Sequence, residues 1–235
     1  MYKDIIQKLE LLSNPTQKNI EGMARFGIRP KTKLLCIPIP KLRLLAKEIK
    51  KNTKKTHSLA LKLWDSKMHE ARILAGMIDN PKEVTSAQME KWVKGFDTWD
   101  VCDQVCMNLF DKTDLAVKKI FEWSSRKEEF VKRTSFSLIA ALAFHSKELS
   151  DKDFVKFFPL IKKASIDERN FVKKAVNWAL RQIGKRNVKL NKEAITLAKE
   201  IQKINSKSAK WVANGALLEL TNEKIQSRLK LKRRA

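Results

Sequence analysis

The stretch Thr134–Phe144, TSFSLIAALAF, is apolar on almost every side of a helix. A surface helix carries polar residues along one face, so a helix that is apolar all round is expected near the centre of a helical protein. Only 6 Gly and 6 Pro interrupt the 235 residues, and apolar residues elsewhere recur at intervals of three and four. Such intervals are typical of helices rather than strands. The sequence therefore predicts an all-α fold with a central, buried helix at residues 127–145.

The remaining helices follow one another with short breaks. About a dozen helices of roughly 10–18 residues, at a rough two-helix period of about 35–45 residues, are typical of a HEAT-like helical-repeat solenoid, in which helical pairs stack on their neighbours. Such a stack is expected to present a concave basic face. Because each pair rests on the next, we expect a single HEAT-like repeat domain over residues 1–235. Its N-terminal helix would cover residues 1–12, and residues 229–235 would form a basic, frayed tail.

The charge of the chain is strongly positive. It carries 50 Lys and Arg against 26 Asp and Glu, a formal net charge of +24. Between Arg25 and Lys62 there are twelve basic residues and a single acid, Glu48. This charge favours nucleic acid or an anionic membrane surface as a partner. The alternative is the solvated, charged surface of a heat-adapted protein, but ion-pair networks need both signs in similar numbers.

Cysteine use and hydropathy indicate where the protein works. The three cysteines, Cys36, Cys102 and Cys106, are an odd number with no secretory signal before them, which favours a reducing compartment. No apolar run approaches the roughly 20 residues that span a bilayer. We therefore expect a cytoplasmic, nucleoid-associated protein with no membrane partner. No heptad seam is visible, so a monomer is expected.

A metal site is the weaker interpretation of the cysteines. Cys102 and Cys106 are four residues apart, as two metal ligands on a helix could be, and His69 or His145 could add a third. A closed zinc site needs four ligands with tighter spacing. We interpret both cysteines as small buried hydrophobic residues and predict no metal and no other cofactor.

The stretch Trp99–Asp103, WDVCD, places two carboxylates and an indole within about one and a half helical turns. Residues 64–103 hold eight acids and five bases, so the charge balance is inverted around this motif. Carboxylates beside an indole in a cationic protein indicate chemistry on a bound nucleic acid. The bland alternatives are a core position for Trp99 and a buried structural hydrogen bond for Asp103. Asp100 suits the first turn of a helix, where the helix dipole favours a carboxylate, and is predicted to be structural.

Four segments carry a resemblance to a known family. WDVCD, Val131–Thr134 (VKRT), Phe171–Arg181 (FVKKAVNWALR) and the segment Leu63–Arg72 are similar, in the right order, to the AlkD-like DNA glycosylases of the DNA alkylation repair family. The resemblance covers about residues 22–220. It implies a HEAT-like domain that removes N3- and N7-alkylated purines from duplex DNA as the first step of base excision repair. Members are thought to act without extruding the base, unlike most glycosylases.

The resemblance also implies roles for individual residues. Trp99 and Trp178 match the two tryptophans that face the lesion, Asp103 matches the catalytic carboxylate, and Arg133 matches an arginine in the cleft. Thr98 departs from the pattern, because members can carry a second aromatic residue there. Trp178 also has polar neighbours at helical spacing, which argues against simple core packing.

The chemistry is consistent with a single acid. An alkylated N3 or N7 purine is cationic and leaves as a neutral base, so it needs no general acid, unlike an ordinary glycoside. Asp103 could stabilise the developing oxocarbenium ion and position or deprotonate the attacking water. Indole faces attract cations by about 0.5–2 kcal/mol, so Trp99 and Trp178 could favour a charged lesion. No lysine nucleophile lies near the motif, so a monofunctional enzyme without lyase activity is predicted.

Basic residues are expected to hold the DNA backbone. Arg133 interrupts an apolar helix and needs an anionic partner, for which we favour a phosphate, with Asp103 as the intramolecular alternative. The other predicted contacts to double-stranded DNA are Lys41, Arg43, Lys47, Lys50, Lys173, Lys174, Arg181, Lys185 and Arg186. Such contacts set salt dependence without reading sequence. The competing hypotheses are a non-catalytic HEAT-like protein that binds unusual DNA structures and a scaffold for an acidic protein.

Overall fold

The computed structural model describes residues 1–232, which form helices joined by short loops. Within this range the extended pairing consists of one isolated bridge between Lys33 and Met68. The α-helices are α1 Tyr2–Leu12, α2 Gln17–Arg25, α3 Ile39–Asn52, α4 Thr56–Trp64, α5 His69–Ile78, α6 Ser86–Lys94, α7 Trp99–Asn108, α8 Ala116–Ser124, α9 Glu129–His145, α10 Asp151–Val155, α11 Phe158–Ala164, α12 Asn170–Gly184, α13 Val188–Gln202, α14 Lys207–Leu220 and α15 Glu223–Lys232. Short 3₁₀ helices lie at Pro81–Glu83 and Phe110–Lys112. The predicted all-α helical-repeat fold is confirmed.

The helices group into two compact units, Met1–Leu115 and a second unit that begins at Ala116. Within the units, neighbouring helices pack as pairs, such as α4 with α5, α8 with α9, and α13 with α14. This pairing is the arrangement that the spacing of the breaks predicts. The single-domain organisation over residues 1–235 stays a prediction.

The first unit is built around α5, in which every residue except Arg72 is buried. This helix packs against α3, α4 and α7. The helix α3 begins after Pro38, has Pro40 in its first turn, and buries an apolar stripe consisting of Leu42, Leu45, Ala46 and Ile49. This stripe explains why the opposite, cationic side of α3 faces solvent.

The second unit is built around α9 and α12, which pack along each other. Every residue of α9 from Arg133 to Ala143 is buried, so the central position predicted for the TSFSLIAALAF stretch is confirmed. Phe144 is an exception, because it is 68% exposed in the last turn of the helix. The helix α12 also contacts α11, α13 and α14 and presents one edge to solvent.

The segment after α9 is divided, and one predicted boundary differs from the structure. Residues 151–164 form two short helices, α10 and α11, and Pro159 lies in the first turn of α11. The tail expected to fray from residue 229 begins inside α15, where Leu229 is buried; residues 233–235 of that tail lie outside the described residues. Across residues 1–232, no helix is both long and apolar enough to span a bilayer.

Candidate functional site

Trp99 and Asp103 lie on one face of α7. Trp99 is the first residue of the helix and Asp103 follows one turn later, so their side chains are neighbours. Both residues are half-buried. The Trp99 Nε1 donates a hydrogen bond of 2.8 Å to the carbonyl oxygen of Phe26, in the loop after α2. This bond fixes the orientation of the indole beside the carboxylate.

The second acid of the motif, Asp100, has a partner in the core. Its Oδ2 lies 2.8 Å from Nε2 of His69, the first residue of α5, which is fully buried. Burial acts to raise the pKa of the Asp100 carboxyl, but the hydrogen bond and charge of His69 outweigh it and hold that pKa below its ordinary value. Burial likewise acts to lower the pKa of His69, and the bond to Asp100 raises it above the ordinary value. The expected structural role of Asp100 is consistent with this buried ion pair.

Glu70, the residue after His69, holds the loop before α3. The Glu70 carboxylate is buried and accepts hydrogen bonds from the backbone amides of Leu35, at 2.9 Å, and Ile37, at 3.2 Å. Between them Cys36 has a φ of 55°, a left-handed conformation that non-glycine residues seldom adopt. The pair His69–Glu70 therefore anchors both the start of α7 and the loop before α3. Sequence analysis placed this pair in the Leu63–Arg72 segment but gave it no role in positioning the site.

The thiols of Cys102 and Cys106 are buried on α7 and reduced. Burial raises the pKa of the Cys106 thiol well above its ordinary value, with the neighbouring Cys102 and Asp103 acting in the same direction. Both side chains are buried in the core of the first unit, as is expected of small hydrophobic residues.

The four predicted DNA contacts in the first unit all lie on α3. Lys41, Arg43, Lys47 and Lys50 are all exposed on α3, outside its buried stripe. Their positions fit a face that contacts phosphates.

In the second unit, Trp178 is half-buried on α12. Lys174, one turn before it, is exposed, and Arg181 follows at i+3, so the indole lies in a cationic row. The role of Trp178 in facing a lesion stays a prediction.

The surroundings of Arg133 require a correction. Its side chain is 5% exposed, and its Nη1 donates a 2.6 Å hydrogen bond to the carbonyl oxygen of Phe171 in the first turn of α12. The structure thus gives Arg133 a backbone carbonyl where sequence analysis favoured a phosphate. The physical reason is the close packing of α9 against α12, which buries the guanidinium and brings the Phe171 carbonyl oxygen within hydrogen-bonding distance.

Arg186 also requires a correction. Its guanidinium donates hydrogen bonds to the carbonyl oxygens of Ala143, at 2.8 Å, and Ser146, at 3.0 Å, which are at the C-terminal end of α9. It also lies 4.2 Å from the ring centroid of Phe154. A cation that satisfies the last carbonyls of a helix is stabilising. Arg186 therefore caps α9, and its guanidinium has partners within the protein rather than being free for a phosphate.

Three further predicted DNA contacts have partners on α14. Arg181 and Lys185 both form salt bridges with Glu219. Burial acts to raise the pKa of the Glu219 carboxyl, but the two cations outweigh it and hold that pKa below its ordinary value. The Lys173 ammonium lies 5.2 Å from the ring centroid of Trp211. Lys174 is exposed. A phosphate that binds Arg181 or Lys185 must therefore compete with Glu219.

Comparisons with known proteins identify the family of the chain and a similar fold. The family described as DNA alkylation repair enzyme matches residues 5–214. A solved structure described as a new family related to the HEAT-like repeat DNA glycosylases, with affinity for branched DNA structures, is 18% identical, with a TM-score of 0.74 over 97% of this chain and 95% of that one. An engineered protein is 16% identical, with a TM-score of 0.43 over 91% of this chain and 96% of that one. None of the curated proteins matches the chain.

Proposed function

Since the chain belongs to the DNA alkylation repair enzyme family, we propose that it is a monofunctional DNA glycosylase. Its substrate would be double-stranded DNA that contains a cationic N3- or N7-alkylated purine. Its product would be the free base and an abasic site. We further propose that it acts as a monomer in the cytoplasm, associated with the nucleoid.

The observation that carries this proposal is the placement of Asp103 beside Trp99 on α7. Asp103 is half-buried, it lies one turn after Trp99 on the same face of the helix, and it is distinct from Asp100, which pairs with His69. A protein that only bound phosphates would gain nothing from a carboxylate beside an indole, because the carboxylate repels the DNA backbone. The pair suits a ligand that carries positive charge.

The reaction needs little from the protein beyond Asp103 and Trp99. Alkylation places a formal positive charge on the purine, so cleavage of the N-glycosidic bond returns the bonding electrons to the ring and releases a neutral base. The positive charge passes to the sugar as an oxocarbenium ion. Asp103 would stabilise that ion and accept a proton from the water that attacks it. Trp99, oriented by its bond to Phe26, would favour the charged base through its ring face.

The direct test is base release from methylated duplex DNA. The full chain is incubated with duplex that carries 7-methylguanine and 3-methyladenine, and the free bases are separated and quantified. We expect release of methylated purines and no strand cleavage until the abasic sites are treated with alkali. Tight binding of the duplex with no release above the uncatalysed rate would contradict the proposal.

A second candidate function is the binding of branched DNA without chemistry. It is supported by the fold match to the protein described as having affinity for such structures. It predicts preferential binding of a four-way junction over a paired duplex, together with no base release. The same two measurements therefore distinguish the candidates.

A further inference from the structure

Trp211 is an exposed tryptophan in the second turn of α14. Its side chain is 45% exposed, and the Lys173 ammonium lies 5.2 Å from its ring centroid. Tryptophan is the residue type most enriched among those that dominate binding energy at interfaces. Trp211 was not among the site residues expected from the sequence, because a single tryptophan in an amphipathic helix is ordinarily a core residue.

The helices that carry Trp211 and Trp178 are fixed in register. The Asn177 side-chain amide donates a 2.8 Å hydrogen bond to the carbonyl oxygen of Val212. Gly215 permits this approach, since a Cβ there would lie 3.0 Å from the Asn177 Nδ2. Lys173 lies against Trp211, Asn177 against Val212 and Gly215, and Arg181 against Glu219, so Trp211 is level with Lys173, about one helical turn before Trp178. The packing of α12 against α14 therefore fixes the position of Trp211 beside Lys173.

The charge around Trp211 favours an anion. The helix α12 contains no acid, and Glu219, which is the single acid of α14, is engaged by Arg181 and Lys185. The acid that precedes α12, Asp167, is bound by Lys132 and Arg169. The exposed cations near the start of the two helices are Lys174, Lys207 and Lys210. The exposed Glu168 is outnumbered by these cations, and the partial positive charge of each helix N-terminus adds to them.

We propose that Trp211 is a stacking site for an unpaired nucleotide of a DNA strand. A basic surface that follows the backbone, combined with an aromatic ring that stacks on a base, is the usual means of binding single-stranded nucleic acid. Lys207 and Lys210 would hold the phosphates, and Lys173 would exchange its contact with the ring for one with a phosphate. Bases within a paired duplex are stacked on one another and offer no free face to Trp211. The site therefore takes a nucleotide that has left the duplex.

This inference rests on the proposed DNA binding but not on glycosylase chemistry. It is tested with the full chain and two DNAs, a blunt duplex and the same duplex with a single-stranded tail that contains 2-aminopurine. At fixed salt, Trp211→Ala should weaken binding of the tailed DNA about ten-fold and leave binding of the blunt duplex unchanged. Wild type should quench the 2-aminopurine fluorescence, Trp211→Ala should not, and Trp211→Phe should restore most of both effects.

Leu218→Ala is the matched control, because Leu218 is a 79% exposed apolar residue on the same helix. It should behave as wild type on both DNAs. Equal affinities of Trp211→Ala and wild type for the tailed DNA would overturn the inference and favour an acidic protein as the partner of this surface. An equal loss on both DNAs would also overturn it, because a stacking site must distinguish unpaired from paired bases.

Failure of the glycosylase proposal can be distinguished from failure of this inference by measuring base release as well as binding. Trp211→Ala should release methylated purines from the blunt duplex at the wild-type rate. If the wild type releases no base yet discriminates the tailed DNA through Trp211, the glycosylase proposal fails and the stacking site stands.

Discussion

The Nε2 of His69 lies 2.8 Å from the Oδ2 of Asp100, and this contact connects the core of the first unit to the start of α7. Asp100 directly follows Trp99, so this contact holds the backbone that carries the indole. The other support of Trp99 is the carbonyl of Phe26. Together these contacts hold the predicted lesion-facing residue from two sides.

The stability of the first unit should depend on this ion pair. Asp100→Asn leaves a buried imidazolium without its counter-charge, and we expect the free energy of unfolding to fall by about 3 kcal/mol. Urea denaturation measures the change. Asp114→Asn, which removes an exposed acid, is the control and should cost less than about 0.5 kcal/mol. Equal stability of the two variants would show that the pair contributes nothing.

The same pair should make stability depend on pH. The pKa of His69 is raised above 6.5, so its contribution is complete below pH 6.5 and declines as the pH rises through the higher value in the folded state. The pKa of Asp100 is lowered below 3.8, so its contribution is present above pH 3.8 and declines as the pH falls through the lower value. The difference in the free energy of unfolding between wild type and His69→Gln should therefore shrink as the pH is raised from 6.5 through the higher pKa of His69 in the folded state. A difference that stays constant from pH 5 to pH 9 would contradict this assignment.

Glu219 should weaken the binding of DNA. Glu219→Gln frees Arg181 and Lys185 from their salt bridges, so we expect tighter binding of duplex. The slope of log K against log salt should become steeper by about 0.9 for each new phosphate contact. Glu200→Gln removes the same charge from an exposed acid paired with Lys162 and serves as the control. Identical salt slopes for the two variants would mean that the α12 cations do not reach the DNA.

Arg186 and Lys47 should affect different properties. Arg186→Gln removes the hydrogen bonds that cap α9 and should lower the free energy of unfolding by about 2 kcal/mol with little change in the salt slope of DNA binding. Lys47→Gln, on the exposed face of α3, should reduce that slope by about 0.9 without changing stability. Denaturation and salt titrations of both variants are the measurements. The opposite pattern would restore Arg186 as a DNA contact.

Local features of the sequence predicted much of the fold. The apolar stretch of α9 and the recurrence of apolar residues at intervals of three and four depend on residues within a few turns of one another, and the helices that they predict are present. The contacts that position the candidate site join distant residues. Trp99 binds the carbonyl of a residue 73 positions earlier, and Arg186 binds one 43 positions earlier. Every residue has a backbone carbonyl, so the sequence does not indicate which one will accept such a hydrogen bond, and the partner is known only from the three-dimensional structure.

The central claim is that Asp103 performs the chemistry. The measurement is the single-turnover rate of 7-methylguanine release from methylated duplex by wild type, Asp103→Asn and the exposed-acid control Asp114→Asn, with enzyme in excess over DNA. We predict that Asp103→Asn binds the duplex at least as tightly as wild type, because a negative charge is removed, and releases the base at least 100-fold more slowly. Asp114→Asn should match wild type. Release by Asp103→Asn at the wild-type rate would contradict the account.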